Sequence, residues 1–220
     1  MHHIDLHTHC TESSSNRKLL NVFAQDLPVA PDERSYSVGL HPWDLETVDN
    51  EECLVLMEQA MTQENILAVG ECGLDRSIST GFMWQERYFC KQAQMAEKYA
   101  KPLIIHCVRA FPELISYKKK IKATVPWIIH GYQANAATTA NLMKHNFYFS
   151  AGEGLLAHPR GMEILPLIPS DHLFIETDNS EIPIDELYTM ASRLLNTGEE
   201  TLDGIIHDNF TRLFGEIQHS

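Results

Sequence analysis

Eight short apolar runs recur along this chain, and six of them lead into a histidine or an acidic residue. The first, Ile4-Asp5-Leu6-His7-Thr8-His9, alternates apolar and polar residues. That is the period-two pattern of a strand, so Asp5, His7 and His9 share one face. Two imidazoles two residues apart make a metal pincer, with Asp5 free to orient one of them. Alone, the segment reads equally as a solvated polar strand, because motifs of this length recur by chance. The later runs decide the matter.

Leu19 to Ala24 reads as a second strand after a polar, Ser-rich loop from Thr11 to Lys18; Pro28 and Pro31 then break the chain before a third, Tyr36 to Leu40, which runs into His41-Pro42-Trp43. From there strands alternate with helical patterns. The spacing predicts helices over 51–63, 82–100, 110–121, 133–144, 161–167, 184–195 and 201–213. Between them lie apolar runs at 66–70, 102–105, 126–129, 147–149 and 172–175, ending at Glu71, His106, His130 and, for the last, Glu176-Thr177-Asp178. Near-continuous apolar strands alternating with helices indicate a parallel sheet covered on both faces. The expected fold is a TIM-like (β/α)8 barrel in one domain spanning 1–220, with the first two crossover helices reduced or absent. Parallel neighbours normally need a dozen or more connecting residues, so the link from first to second strand is the tightest point of this topology.

Composition narrows the function. A net charge of −13 argues against broad electrostatic capture of duplex nucleic acid, but not against a phosphate met through bound cations. Five cysteines without a CxxC pair fit reduced thiols; Cys10, Cys72 and Cys107 each follow a candidate ligand and should point into packing. No apolar run is long enough to cross a membrane, and no basic-then-apolar leader is visible, so a cytoplasmic protein without an obligate protein partner is expected.

In a (β/α)8 barrel the chemistry sits at the carboxyl ends of the strands. Those ends carry His7, His9, His41, Glu71, His106, His130 and Asp178, five of the 12 histidines among them. His145, His158, His172, His207 and His219 read as surface or helix residues. A lone strand-end histidine is usually a satisfied core residue, but six converging strand ends argue for a site. This nitrogen and oxygen set is too large for one four-coordinate ion with an open position, and suits two ions sharing a carboxylate.

The segments IDLHTH, GLHPW, VGECGLD, KPLIIHC, WIIHGY, LFIETD and NFTRLFG resemble, in order and spacing, the motifs of the TatD-type metal-dependent deoxyribonucleases. The helical stretch with Gln85, Phe89 and Gln92 resembles that family's Gln-x-x-x-Phe-x-x-Gln helix. The resemblance spans Ile4 to Gly215 and implies a metal-dependent hydrolase of the amidohydrolase type that cleaves phosphodiester bonds, with single-stranded DNA as substrate. It further implies one divalent ion on His7, His9, Glu71 and Asp178, and a second on Glu71, His106 and His130, with Asp178 taking the proton of the attacking water. His41 would touch the scissile phosphate from the rim, unless it merely packs beside Trp43. The ions would be Mg, Mn or Zn, which mixed His/carboxylate sites accept alike.

Departures from the pattern bear on the substrate. The family's ETDAP becomes Glu176-Thr177-Asp178-Asn179-Ser180, and the Pro/Arg/Gly/Asn-rich loop that follows it elsewhere is missing. Where an arginine is common, two residues after His106, stands Val108; Arg109 is then the candidate phosphate contact, or a solvated helix-start residue. The opening DLHTHCTESS also resembles the PHP phosphoesterases, but nothing later supports them, and Glu71 stands where dihydroorotase-like amidohydrolases carry a modified lysine. Two alternatives stay open: the same centre acting on another ester, such as aminoacyl-tRNA or a small phosphoester, and a non-enzymatic metal-binding scaffold.

Overall fold

A computed structural model describes residues 3–11, 15, 17–29 and 32–215. Part of the expected loop (12–14 and 16), the break at Pro31, and His219 lie outside these. The apolar runs do form strands: β1 Ile4–Thr8, β2 Arg17–Phe23, β3 Ser35–Gly39, β4 Ile66–Asp75, β5 Leu103–Val108, β6 Trp127–Ile129, β7 Phe147–Ala151 and β8 Leu173–Ile175. They make one eight-stranded sheet in the order β1 to β8, with parallel pairing, the topology of a TIM-like (β/α)8 fold. β1 and β8 are buried along their whole length, as strands covered on both faces must be.

The helices are α1 Asn50–Ala60, α2 Phe82–Tyr99, α3 Phe111–Ile121, α4 Ala136–Met143, α5 Glu153–Leu156, α6 Gly161–Ile164, α7 Ile184–Leu194 and α8 Glu199–Phe214. Among the described residues no helix separates β1 from β2, and only a 3-10 turn, Ala24–Asp26, lies between β2 and β3. β1 and β2 are nevertheless parallel, with Ile4 opposite Arg17 and Asp5 opposite Lys18. Arg17 and Lys18 therefore belong to the strand, not to the loop expected there. Asp49 caps α1 by accepting from the Glu51 and Glu52 amides, both at 3.1 Å. Asn135 caps α4 in the same way, through Thr138.

Three strands run further than the apolar pattern indicates, β7 among them by two residues to Ala151. β4 continues through Glu71 to Asp75, and β5 through His106 to Val108. The glycines of VGECG look like a strand end, yet they serve close approach: a Cβ at Gly70 would overlap the Ile104 carbonyl, and one at Gly73 the His106 carbonyl. Gly70 also has φ 133°, open only to glycine. The four-residue α5 is too short to leave a periodicity.

Contacts group the described residues into two compact units, residues 3–20 with 128–215, and residues 21–127. In the first, Leu6, Phe149, Phe174, Tyr188, Ile206 and Phe210 are buried. His3 is folded into it: its Nδ1 lies 2.7 Å from Asp185 and its ring stacks on Tyr188 at 4.0 Å. In the second, Phe89 of α2 meets Trp127 edge to face at 5.4 Å within a core of Val69, Leu103 and Ile105. Each such fully buried side chain contributes about 1.5–3 kcal/mol. Among the described residues, no helix is long and apolar enough to cross a membrane.

Candidate metal centre

In the first unit the site grows from β1. His7 is buried near its end and His9 is the first residue beyond it, 19% exposed. Their rings stand perpendicular, 5.1 Å apart, and both Nε2 atoms face Asp178 Oδ1, at 3.7 and 3.5 Å. The backbone delivers Asp178 to them. Its N–H donates to the His7 carbonyl at 2.8 Å, and the His9 N–H donates to its carbonyl at 3.2 Å. Asp178 itself has φ 53°, a left-handed conformation that Asp tolerates better than most residues.

Asp5 does not serve an imidazole, as its place in the motif suggested. Its carboxylate accepts from the Thr177 N–H at 2.9 Å and the Thr177 hydroxyl at 2.6 Å. It sits two residues deeper than His7, level with the backbone that leads to Asp178. Burial pushes its carboxyl up to about 7 despite those bonds. His130 follows β6, with its ring 4.3 Å from that of His7 and its Nδ1 3.5 Å from Glu176 Oε1. Glu176 is fully buried and also accepts from the Gly131 N–H. Burial raises its carboxyl, but the facing His130 and His7 imidazoles outweigh this and leave it below the ordinary value.

The second unit holds a denser cluster. Glu71 Oε1 lies 3.1 Å from both His41 Nε2 and His106 Nδ1. The other nitrogen of His106 lies 3.0 Å from Asp75 Oδ2, which also accepts from the Trp43 indole N–H at 2.8 Å. The Trp43 backbone N–H donates to His41 Nδ1 at 3.2 Å, which leaves His41 Nε2 to carry the proton toward Glu71. His41 is therefore buried against Glu71, while the Trp43 ring is 59% exposed. Burial raises the Asp75 carboxyl, yet bonds from Ser77, Trp43 and His106 hold it down at about 2. Arg109 is exposed one residue beyond β5, with φ 56°.

Helix α2 positions these strand ends through two glutamines. Gln85 accepts from the Asp75 N–H at 2.7 Å and donates to the Asp75 carbonyl at 2.9 Å. Gln92 does the same to Leu40, beside His41, at 2.8 and 3.0 Å. Asn21 on β2 accepts from the Glu71 N–H at 2.7 Å. Asp75, Glu176 and Asn21 are the residues that motif reasoning left without a role. Asp75 and Glu176 were visible as acids inside VGECGLD and LFIETD; Asn21 carries no sequence signal.

The donors fit a divalent ion. Two ligands about 2.1 Å from one tetrahedral ion sit roughly 3.4 Å apart. The 3.5 and 3.7 Å separations of His9 and His7 from Asp178 match that spacing and exceed a hydrogen bond. Ligand atoms of His7, His9 and Asp178 all lie within 4.8 Å of one another, as do those of His41, Glu71 and His106. Carboxylates behind His106 and His130 are the usual supports of metal-ligating imidazoles.

Cys72 and Cys107 are packed as alternation predicts, the Cys107 thiol pushed up to about 12 by burial. Cys10 is exposed instead, because β1 ends at Thr8 and alternation no longer governs it.

An eight-stranded parallel β/α sheet with histidine and carboxylate donors at its strand ends makes this a (β/α)8 protein with candidate metal ligands. Within that class the chain belongs to the TatD-related DNase family, whose model matches residues 4–215. A solved TatD homologue from Escherichia coli K12, YJJV, superposes with a TM-score of 0.84 over 98% of both chains, at 18% identity. An uncharacterized metal-dependent hydrolase of Haemophilus influenzae is 27% identical over 165 residues, covering 70% of this chain and 62% of that protein. The 3'-5' ssDNA/RNA exonuclease TatD of Escherichia coli K12 is 29% identical over 150 residues, covering 64% of this chain and 56% of its own. The chain thus aligns with less than two thirds of either relative.

Proposed function

We propose that the chain is a metal-dependent phosphodiesterase of the TatD type, acting on single-stranded DNA or RNA with two divalent ions. The ion-ligand spacing of His7 and His9 around Asp178 carries this reading. His7, His9, Glu71 and Asp178 hold one ion and Glu71, His106 and His130 the other, following the family resemblance. Divalent ions in such a site supply an activated water and offset charge on the leaving oxygen. Asp178, partly exposed and fixed to β1 by its backbone bonds, accepts the proton of the attacking water at its carboxylate. His41 presents its Nε2 at Glu71, and Arg109 meets a substrate phosphate from the end of β5. Asp75 and Glu176 fix the rings of His106 and His130.

The test is purified protein, stripped and reloaded with Mg²⁺, Mn²⁺ or Zn²⁺, against end-labelled single-stranded DNA, with Asp178→Asn as control. Stepwise shortening that needs metal and disappears in the variant is expected, with two ions bound per chain. Cleavage that persists in Asp178→Asn overturns the role of Asp178, and absence of any phosphodiester cleavage in the metal-loaded protein overturns the reading.

A further inference from the structure

The segment after Asp178, where the family's Arg-containing loop is missing, builds something in its place. Together with His9 and Cys10 it encloses a recess of about 530 Å³, within the roughly 300–1,000 Å³ range of small-ligand sites. His9 and Asp178 form one end, so an occupant that reaches them lies against the reacting bond. Cys10, Ile182, Pro183 and Ile184 supply apolar wall, and Asn179 and Ser180 supply polar edge.

Its walls are held in place. The Ser180 N–H donates to the Thr177 carbonyl at 2.8 Å, its hydroxyl donates to Glu153 at 2.6 Å, and the same oxygen accepts from the Ile182 N–H at 3.0 Å. One serine thus ties the loop both to itself and to α5. The Asn179 amide donates to Asp178 Oδ1 at 3.1 Å. The charge is one-sided: Glu181 and Asp178 line the recess, and among the described residues no lysine or arginine does. A polyanion has nothing to pair with there.

We infer that this recess is a subsite for one uncharged, nucleoside-sized group joined to the scissile phosphate, and that it excludes a group carrying a second phosphate. The inference rests on the phosphodiesterase reading and adds the identity of what lies beside the cleaved bond. A partly apolar slot of this volume suits the body of a nucleoside, and the acid at Glu181 selects against further phosphate.

Cys10, exposed on the wall, reports occupancy. In metal-loaded protein the rate of Cys10 alkylation by iodoacetamide is followed by peptide mass, with adenosine monophosphate, ribose 5-phosphate or adenosine 3',5'-bisphosphate as competitor. The monophosphate should slow alkylation at least fivefold; ribose 5-phosphate and the bisphosphate should each slow it less than twofold. Ile182→Trp should abolish protection by the monophosphate, and Glu181→Gln should bring in protection by the bisphosphate, with circular dichroism confirming that both variants fold. Equal protection by ribose 5-phosphate overturns the nucleoside assignment, and equal protection by the bisphosphate on the unchanged protein overturns the charge selection. Hydrolysis of bis(p-nitrophenyl) phosphate in the same preparation separates the two readings. Hydrolysis without protection overturns the subsite alone, and protection without hydrolysis supports the subsite while overturning the phosphodiesterase.

Discussion

The two donor clusters are built on opposite principles. Around Asp178, the histidine nitrogens stop 3.5 and 3.7 Å short of the carboxylate, too far for hydrogen bonds. Around Glu71 and Asp75, imidazoles, indole and carboxylates close on one another at 2.8–3.1 Å. The first arrangement leaves its energy to be gained from an ion; the second already holds itself together. The same local motif, histidine beside carboxylate, therefore waits for its ion in one unit and in the other is already braced by side-chain contacts before an ion binds.

The largest expected effect tests the waiting cluster. Asp178→Asn should lower kcat on a phosphodiester by about 100-fold or more, the usual worth of a positioned acid–base group. The melting temperature of the metal-free protein should barely move, since the side chain is 37% exposed. Asp75→Ala tests the self-supporting cluster and should behave in the reverse sense. It removes a buried carboxylate that accepts from Trp43, Ser77 and His106, and should cost about 1–3 kcal/mol in urea unfolding even without metal. A small loss there would break the comparison.

Metal removal sharpens it further. An ion at 100 times its Kd stabilises the folded chain by about 2.7 kcal/mol, so chelation should lower the melting temperature measurably. His9→Ala should remove most of that metal-dependent shift while leaving the metal-free protein within about 1 kcal/mol of the parent. If the variant keeps the full shift, His9 is not a ligand.

A further test is in pH, where two aspartates are shifted in opposite directions. Asp75 is held at about 2, below the ordinary 3.8, so the folded state binds its proton less readily than the unfolded chain does. Its stabilising contribution is complete above pH 4 and is lost as pH falls toward 2. Asp5 is raised to about 7, so its contribution is complete below pH 4 and is lost as pH rises toward 7. Unfolding of Asp75→Asn and Asp5→Asn against the parent, from pH 2 to 8, should show both differences smallest at low pH and opposite in sign at high pH. There the Asp75 carboxylate favours the parent and the buried Asp5 carboxylate disfavours it.

Most of this was legible in the chain, for identifiable reasons. Strands buried on both faces leave continuous apolar runs, which made the later strands visible; alternation showed the first, and the missing early helices followed from the short spacings around Leu19 and Tyr36. Strand ends were misjudged at Gly70 because a glycine that admits a neighbouring backbone looks the same in sequence as one that ends a strand. The partners of Asp5 could not be read, since alternation gives the face of a side chain but not what crosses above it from residue 177. Cys10 went astray at the point where β1 stops. The recess beside Asp178 had no motif at all: only the three bonds of Ser180 give its loop a shape.

The glutamine clamps of α2 grip main-chain atoms only: N–H and C=O of Leu40, and N–H and C=O of Asp75. Every amino acid other than proline offers those same two groups. The helix thus fixes where each strand tip lies without regard to the side chain it displays. A lineage built on this scaffold can exchange residues at its working edge while the frame stays in register, so that new chemistry is explored on a mount that does not have to be reinvented.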